Sequence, residues 1–205
     1  MRYRKSVTAV AVAAGLVLAG CGNKTDGPEA GPKSNQASPH NKADVEFAQQ
    51  MIPHHEQALD MAKLAPTRAE SEEVKDLAAD IEAAQDPEIQ TMTGWLHEWE
   101  EEVPSEVGGH TMDENSMKDE DSMMDEGSMD EGMMSDDDMA ELEKATGAAF
   151  DRMFLTMMIE HHEGAITMAK DEQRDGKNVD AIELARQIES AQTAEIKLMQ
   201  TLLSE

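Results

Sequence analysis

Cysteine and basic residues are scarce in this chain. The first shortage excludes disulfides within the chain, and the second argues against two classes of binding partner. Cys21 is the only cysteine, so a disulfide within the chain is impossible. Lysine and arginine total 17 against 44 aspartates and glutamates, which gives a net charge of -27. This excess of negative charge argues against nucleic acid and anionic lipid as partners. It is compatible with cations, and equally with simple solubility.

Recognisable catalytic motifs are also missing. The sequence has no Gly-rich phosphate loop and no Ser-His-Asp pattern. Its one thiol, Cys21, belongs to an export signal and is not available as a nucleophile. We therefore expect a binding protein and not an enzyme.

The first 20 residues have the layout of a bacterial export signal. A short basic head precedes an apolar run that is too short for a comfortable membrane span, and "LAGC" at residues 18–21 ends it. These four letters resemble a lipobox, in which the cysteine is acylated and becomes the first residue of the mature protein. We expect a lipoprotein signal peptide over residues 1–20 and a lipid anchor at Cys21. The protein would then lie on the extracytoplasmic face of the bacterial cell membrane, and an uncleaved anchor helix would give the same location.

Two further segments follow the anchor. Residues 21–43 are rich in Gly, Pro, Ser and Asn and show no apolar period, which predicts a flexible tether. Residues 44–205 are enough for one domain.

One half of this domain repeats the other. Adding 107 to a residue number maps residues 44–98 onto 151–205 without a gap, and 22 of the 55 positions are identical. Each copy reads as helix, turn, helix, with "HHE" at the centre of its first helix. A single helical hairpin of this size cannot bury its apolar face alone. We therefore predict an all-α fold in which the two hairpins form a four-helix bundle.

The helix boundaries have recognisable signals. Ser71 and Asn178 are plausible N-caps of the second helix in each copy, and Gly176 is a plausible helix stop. Pro53 and Pro87 fall inside predicted helices, where we expect them to bend the helix without ending it.

An acidic insert, residues 99–139, connects the copies. Between positions 110 and 139 it holds eight methionines and twelve acidic residues with one lysine, so it cannot fold by burial and should be disordered. Near its end Ser135, followed by three aspartates, should cap a helix that runs to about Thr146.

The polar residues on the predicted inward faces are the informative ones, because burying them without partners is costly. Each copy offers two imidazoles, an amide, a carboxylate and three methionines on faces that should meet. These are His54, His55, Gln85, Glu88, Met51, Met61 and Met92 in the first copy, and His161, His162, Gln192, Glu195, Met158, Met168 and Met199 in the second.

Three interpretations of this polar set compete. The histidines could form a structural hydrogen-bond network with the glutamates and glutamines. They could instead bind copper or silver, because imidazole and thioether donors suit Cu(I). The metal ligands would then be His54, His55, His161, His162, Met51, Met61, Met158 and Met168, with Glu88, Glu195, Gln85 and Gln192 orienting them. A pair of iron or manganese ions for oxidation chemistry is the third interpretation, but the Glu-x-x-His pattern of such sites is absent.

The methionines of the insert favour the copper interpretation. Methionines inside a bundle are usually core filler, but these have no core to fill. A low-affinity trap for a soft cation would explain them at Met112, Met117, Met123, Met124, Met129, Met133, Met134 and Met139. A sacrificial sink for oxidants is the competing use, and a plain acidic linker leaves the methionines unexplained.

The paired "MIPHHEQALDMAK" and "FLTMMIEHHEGAITMAK", with "AQTAEIKLMQTLL" near the end of the chain, resemble the exported family known as domain of unknown function 305. The resemblance runs from about residue 42 to the C-terminus. It implies a ferritin-like fold, and because some members are associated with copper binding and copper tolerance, it also implies copper handling. We therefore expect copper, Cu(I) before Cu(II), to be buffered, sequestered or passed to an unknown partner protein. The alternatives are a metal-dependent oxidase and a structural helical module.

Overall fold

Helices form nearly all of the structure, which is a computed structural model that describes residues 39–104 and 132–204. They are α1 (Lys42–Ala62), α2 (Ala65–Arg68), α3 (Glu72–Trp99), α4 (Asp136–Lys144), α5 (Ala148–Asp175) and α6 (Val179–Leu203). These two described ranges contain no strand, so the all-α prediction is confirmed. None of their helices is both long enough and apolar enough to cross a bilayer. The predicted signal, Cys21, most of the tether and Met112, Met117, Met123, Met124 and Met129 lie outside the described residues.

The helices begin where the sequence provides caps. The side chains of Ser71, Ser135 and Asn178 accept hydrogen bonds from the first turns of α3, α4 and α6, so the three predicted caps are confirmed. Asn41 caps α1 in the same way. The helix therefore begins at Lys42, two residues before the predicted start of the domain at residue 44.

Two prolines and one turn test the predicted boundaries further. Both α1 and α3 continue through their prolines, Pro53 and Pro87, as predicted. The turn after α1 contains the short helix α2, which the sequence did not predict. At the other end, α5 stops at Asp175, and Gly176 is its C-cap.

The four long helices pack so that polar residues lie between two apolar clusters. Along the bundle, α1 packs against α3, α5 packs against α6, and α1 also contacts α5. One apolar cluster includes Met61, Ile81 and Phe154, and the other includes Met51 and Ile188. On every long helix the interval between the two clusters contains the predicted inward polar residues. The bundle therefore has a polar layer across its middle.

Two aspartates tie the helix pairs together at the ends of the bundle. The carboxylate of Asp44 in α1 accepts hydrogen bonds from the backbone N–H groups of residues 177 and 178, at 2.9 and 2.7 Å. Asp151, the matching position in α5, accepts hydrogen bonds from those of residues 70 and 71, at 3.1 and 3.0 Å. Each helix pair thus holds the turn of the other pair.

Removal of these carboxylates should destabilise the fold unequally. Asp44 is completely buried, whereas Asp151 is partly exposed, so Asp44→Ala leaves N–H groups without water as well as without a partner. We expect the free energy of unfolding to fall by about 3 kcal/mol for Asp44→Ala and by about 1 kcal/mol for Asp151→Ala. Chemical denaturation followed by circular dichroism measures both. Equal losses of unfolding free energy would show that the greater burial of Asp44 does not make its hydrogen bonds more important than those of Asp151.

Candidate metal centre

Four histidines form the middle of the polar layer. Their side chains come from adjacent positions, His54 and His55 in α1 and His161 and His162 in α5, and each is at most 2% exposed. The rings of His54 and His161 touch, with centroids 3.7 Å apart, across the contact between α1 and α5. We call these four residues, with Gln85, Glu88, Gln192 and Glu195, the histidine layer.

Two of the histidines are oriented by glutamates from the neighbouring helix. The Nε2 atom of His55 lies 2.8 Å from a carboxylate oxygen of Glu88, and that of His162 lies 2.6 Å from one of Glu195. A carboxylate can only accept a hydrogen bond, so each Nε2 carries the proton and donates it. In the neutral ring the lone pair is then on Nδ1. This is how histidines that bind a metal through one nitrogen are commonly held at the other.

The histidine layer is not a closed hydrogen-bond network. The Nδ1 atoms of His55 and His162 are buried and have no hydrogen-bond partner among the described residues. Neither side-chain polar atom of Gln85 has one there, nor does the amide oxygen of Gln192. Since an unsatisfied buried polar atom costs roughly 1–3 kcal/mol, the layer is costly to bury as it stands.

The electrostatics of the layer keep its central ring neutral. Burial holds the pKa of His161 well below the ordinary value of 6.5, and repulsion from charge on His54, and then on His162 and His55, lowers the pKa further. A neutral imidazole retains a lone pair, and this is the form that binds metals. The His161 ring is therefore available as a ligand at neutral pH.

The predicted core methionines surround the histidine layer. Met168 is 9% exposed and Met51, Met61, Met92, Met158 and Met199 are fully buried. Met51 and Met158 precede the paired histidines of their own helices by one turn. Half of the six belong to each apolar cluster, so thioethers lie on both sides of the layer.

The described residues contain no preformed metal site made of histidine, cysteine or carboxylate ligands. Within residues 39–104 and 132–204, no three side chains of His, Cys, Asp or Glu form a group that could hold a metal ion. A metal in the layer would therefore need a thioether or amide ligand, or a turn of one of the rings. The described residues do not form a site in which several carboxylates bind a pair of metal ions.

The methionines at the end of the insert do not behave as the sequence predicted. Met134 and Met139 are partly buried and pack against the cluster that contains Met61. The prediction that none of the eight insert methionines has a core to fill is therefore wrong for these two. The sequence missed this contact because an acidic surrounding gives no apolar period from which burial could be inferred.

One buried titratable residue was missed by the sequence reasoning. Glu172 of α5 is 2% exposed, and its carboxyl interacts with Asp44 where the adjacent Gly176 leaves space for it. Burial, together with the negative charge of nearby Asp44, raises its pKa from 4.5 to about 8. The matching position in the first copy is Ala65, which is also buried. The signal available in the sequence was that one copy of the repeat has a glutamate where the other copy has an alanine.

Comparison with known proteins gives a consistent result. The model of the family DUF305, domain of unknown function, matches residues 44–203. A DUF305 protein from Streptomyces coelicolor has 32% identity to this chain and a TM-score of 0.66, over 79% of this chain and 92% of its own. A DUF305 fragment from Deinococcus radiodurans has 29% identity and a TM-score of 0.66, over 81% and 98%.

A third similar structure carries a metal. CopM in its Cu(I)-bound form has 30% identity and a TM-score of 0.60, over 78% of this chain and 95% of CopM. CopM structures with Cu(II) and with silver are similar to this chain as well. The comparison with curated proteins returns no match.

The buried carboxyl of Glu172 should make stability fall as the pH rises. Because its pKa is about 8 in the folded protein and near 4.5 when exposed, the folded protein holds the extra proton between these values. Stability is therefore lost progressively across that window, by at most about 1.4 kcal/mol per pH unit. Glu172→Gln should flatten this decline in denaturation curves recorded from pH 5 to 8. Glu163→Gln, an exposed change in the same helix, should leave it intact, and an unchanged slope in Glu172→Gln would refute the assignment.

Proposed function

The chain belongs to the DUF305 family, and from this premise we propose that it binds copper in the histidine layer and buffers it or passes it on, with Cu(I) preferred. The observation that carries the proposal is that the Nδ1 atoms of His55 and His162, which can bind a metal, are buried and have no hydrogen-bond partner in the described part of the chain. The likeness to CopM, which has structures with copper and silver bound, supports copper as the metal.

The donor set suits a soft monovalent ion. Imidazole nitrogen binds both oxidation states of copper, whereas thioether sulfur selects Cu(I) and its analogue Ag(I). The ligands are drawn from the layer and from the methionines next to it: His54, His55, His161, His162, Met51, Met61, Met158 and Met168. Thioether sulfur carries no charge, and imidazole binds a metal in its neutral form. A singly charged ion is the least costly to place among neutral donors in a water-poor core.

The two glutamates would support the ligands without binding the metal. Each accepts a hydrogen bond from the Nε2–H group of one histidine, so the ring is fixed and its other nitrogen becomes more basic. Both carboxylates are about 20% exposed, which leaves them close to water. Their two negative charges lie near enough to favour a cation in the layer.

The fold and the location complete the proposal. We infer a ferritin-like bundle built from two repeated hairpins, because the matched positions of the two copies make the same His–Glu contact. A lipid anchor at Cys21 would hold this bundle on the extracytoplasmic face of the membrane. The Met-rich insert would collect copper at lower affinity, and an unidentified protein would donate or receive it.

The structural-network alternative is the one that the geometry makes testable. A network retained only for packing is expected to be satisfied, since a half-satisfied one is worse than an apolar core. The amide of Gln85 and the Nδ1 atoms of His55 and His162 have no hydrogen-bond partner among the described residues, so they do not meet that expectation.

Changing the four histidines to glutamine should abolish tight copper binding. Glutamine keeps a polar group of similar reach in the layer but removes the imidazole donors. In an anaerobic Cu(I) competition titration we expect the affinity of this variant to fall by at least about a hundredfold, the loss typical of removing metal ligands or their partners. His97→Gln, which changes an exposed histidine, should bind as the unaltered protein does.

A second variant separates the core from the insert. It replaces Met112, Met117, Met123, Met124 and Met129 with leucine, which removes sulfur and keeps chain length. We expect it to lose weakly bound copper only. If tight binding disappears here and survives in the histidine variant, the principal site is in the insert. If none of the proteins competes for Cu(I), the copper proposal is wrong and the network interpretation is favoured.

Copper binding should be stoichiometric and without turnover. The layer holds no recognisable nucleophile, and its carboxylates are engaged by histidines, so we propose that the protein is not an enzyme. An oxygen electrode and a peroxide assay on the copper-loaded protein should show that dioxygen and peroxide are not consumed beyond one equivalent per bound copper ion. Sustained consumption that is lost in the histidine variant would establish the oxidase alternative instead.

A further inference from the structure

The end of the Met-rich insert is fastened to α1. The side-chain amide of Gln57 donates to the backbone carbonyl of Met134 at 2.8 Å, and its carbonyl oxygen accepts from the backbone N–H of Met134 at 2.7 Å. Both bonds are partly buried and join positions 77 residues apart. One side chain thus satisfies both backbone groups of one residue, which fixes the course of the chain there. We call residues 132–135 the strap.

The strap also contacts α5. Gly132 has φ of +82° and lies so close to α5 that a Cβ atom on it would be 2.8 Å from the carbonyl oxygen of Glu160 and 3.0 Å from the Cα of Gly164. Only glycine fits such an approach with this backbone conformation. The strap is therefore bound to α1 through Gln57 and to α5 through glycine-to-glycine packing.

These two attachment points lie beside the histidine layer. Gln57 follows His54 by one helical turn in α1, and Gly164 follows His161 by one turn in α5. Positions 57 and 164 also match each other in the repeat. Since the rings of His54 and His161 touch, the strap crosses between α1 and α5 next to the point where the two halves of the layer meet.

The strap places thioethers between the surface and the core. Met133 is partly exposed, and Met134 packs against the apolar cluster that includes Met61 and Met158. Those two methionines are fully buried beside the layer. Sulfur donors are therefore present both in the strap and among the core residues next to the histidines.

We propose that the strap is the port through which copper reaches the histidine layer, and that Met133 and Met134 are the ligands that hand it over. This inference rests on the proposed function. Transfer is by ligand exchange: a thioether of the strap leaves the ion as a core thioether or imidazole binds it, and the oxidation state and net charge do not change. The strap moves aside when the two hydrogen bonds from Gln57 break. Access is then limited by these bonds, whereas affinity is set by the core.

Rates of copper exchange test this port. Gln57→Ala removes the attachment to Met134, and its matched control is Gln49→Ala, because Gln49 also lies in α1 and donates to a backbone carbonyl, that of Glu102, at the other end of the insert. In stopped-flow transfer of Cu(I) from a chelator, we expect Gln57→Ala to speed uptake and release about tenfold each, as the loss of two hydrogen bonds implies. Equilibrium affinity should stay within twofold, and Gln49→Ala should leave the rates unchanged.

Two more variants probe the strap from other directions. Gly132→Ala adds the Cβ atom that the close approach to α5 excludes. It should therefore also speed exchange, although it changes no residue of a helix. The double change Met133→Leu and Met134→Leu keeps apolar contact but removes sulfur, so it should slow uptake and release at least threefold each. Lowered affinity in proportion to the slower uptake would show that these sulfurs belong to the final site, which would overturn their role as transfer ligands.

A measurement without metal separates this inference from the proposed function. Carbethoxylation of histidines by diethyl pyrocarbonate, located by mass spectrometry, should be faster at His54 and His161 in Gln57→Ala than in Gln49→Ala. If the protein binds copper but the two variants match in exchange and carbethoxylation, the port is wrong and the proposed function stands. If the protein binds no copper, the proposed function fails, and the carbethoxylation rates alone report whether the strap covers the layer.

Discussion

The fold depends on keeping four imidazole rings out of water. A ring such as His161 loses its hydration on folding and is surrounded by other rings, so its charged form is disfavoured and its pKa falls. The two apolar clusters on either side of the layer supply burial that offsets this cost. The same constraint that lowers stability keeps the His161 ring in the neutral form that binds metals, so it connects the energetics of the bundle to its chemistry.

The repeat makes the contribution of each half easy to compare. Asp44 and Asp151 brace opposite turns, and each copy fixes one histidine with one glutamate, so the shared features are the ones that build the layer. The copies differ where one half has gained a local feature. Glu172 occupies the position that Ala65 has in the first copy. Gln57 and Gly164 also match in the repeat, but Gln57 binds the strap by hydrogen bonds and Gly164 leaves room for the strap to pack.

The sequence predicted the helices and the inward residues because both follow from local rules. A period of 3.6 residues and side-chain caps such as Ser71 and Asn178 can be read in a short window, and the offset of 107 doubles the evidence for each helix. The Gln57 clamp could not be predicted, because it joins residues 77 positions apart through a backbone group that every residue has. The raised pKa of Glu172 likewise depends on a neighbour, Asp44, from another helix.

On the proposed path through the strap, a cation would meet three types of donor in an order that suits its movement inward. The acidic residues of the insert attract any cation through long-range charge, but they bind none selectively. Thioethers discriminate, because they bind soft ions and reject hard ones. The histidine layer comes last, where the cost of burial rises with the square of the charge, so a divalent ion faces roughly four times the Born penalty of a monovalent one. Glu88 and Glu195 offset part of that penalty from the rim of the layer. In the proposed function, selection for Cu(I) would follow from the order of the donors as much as from the ligands of the final site.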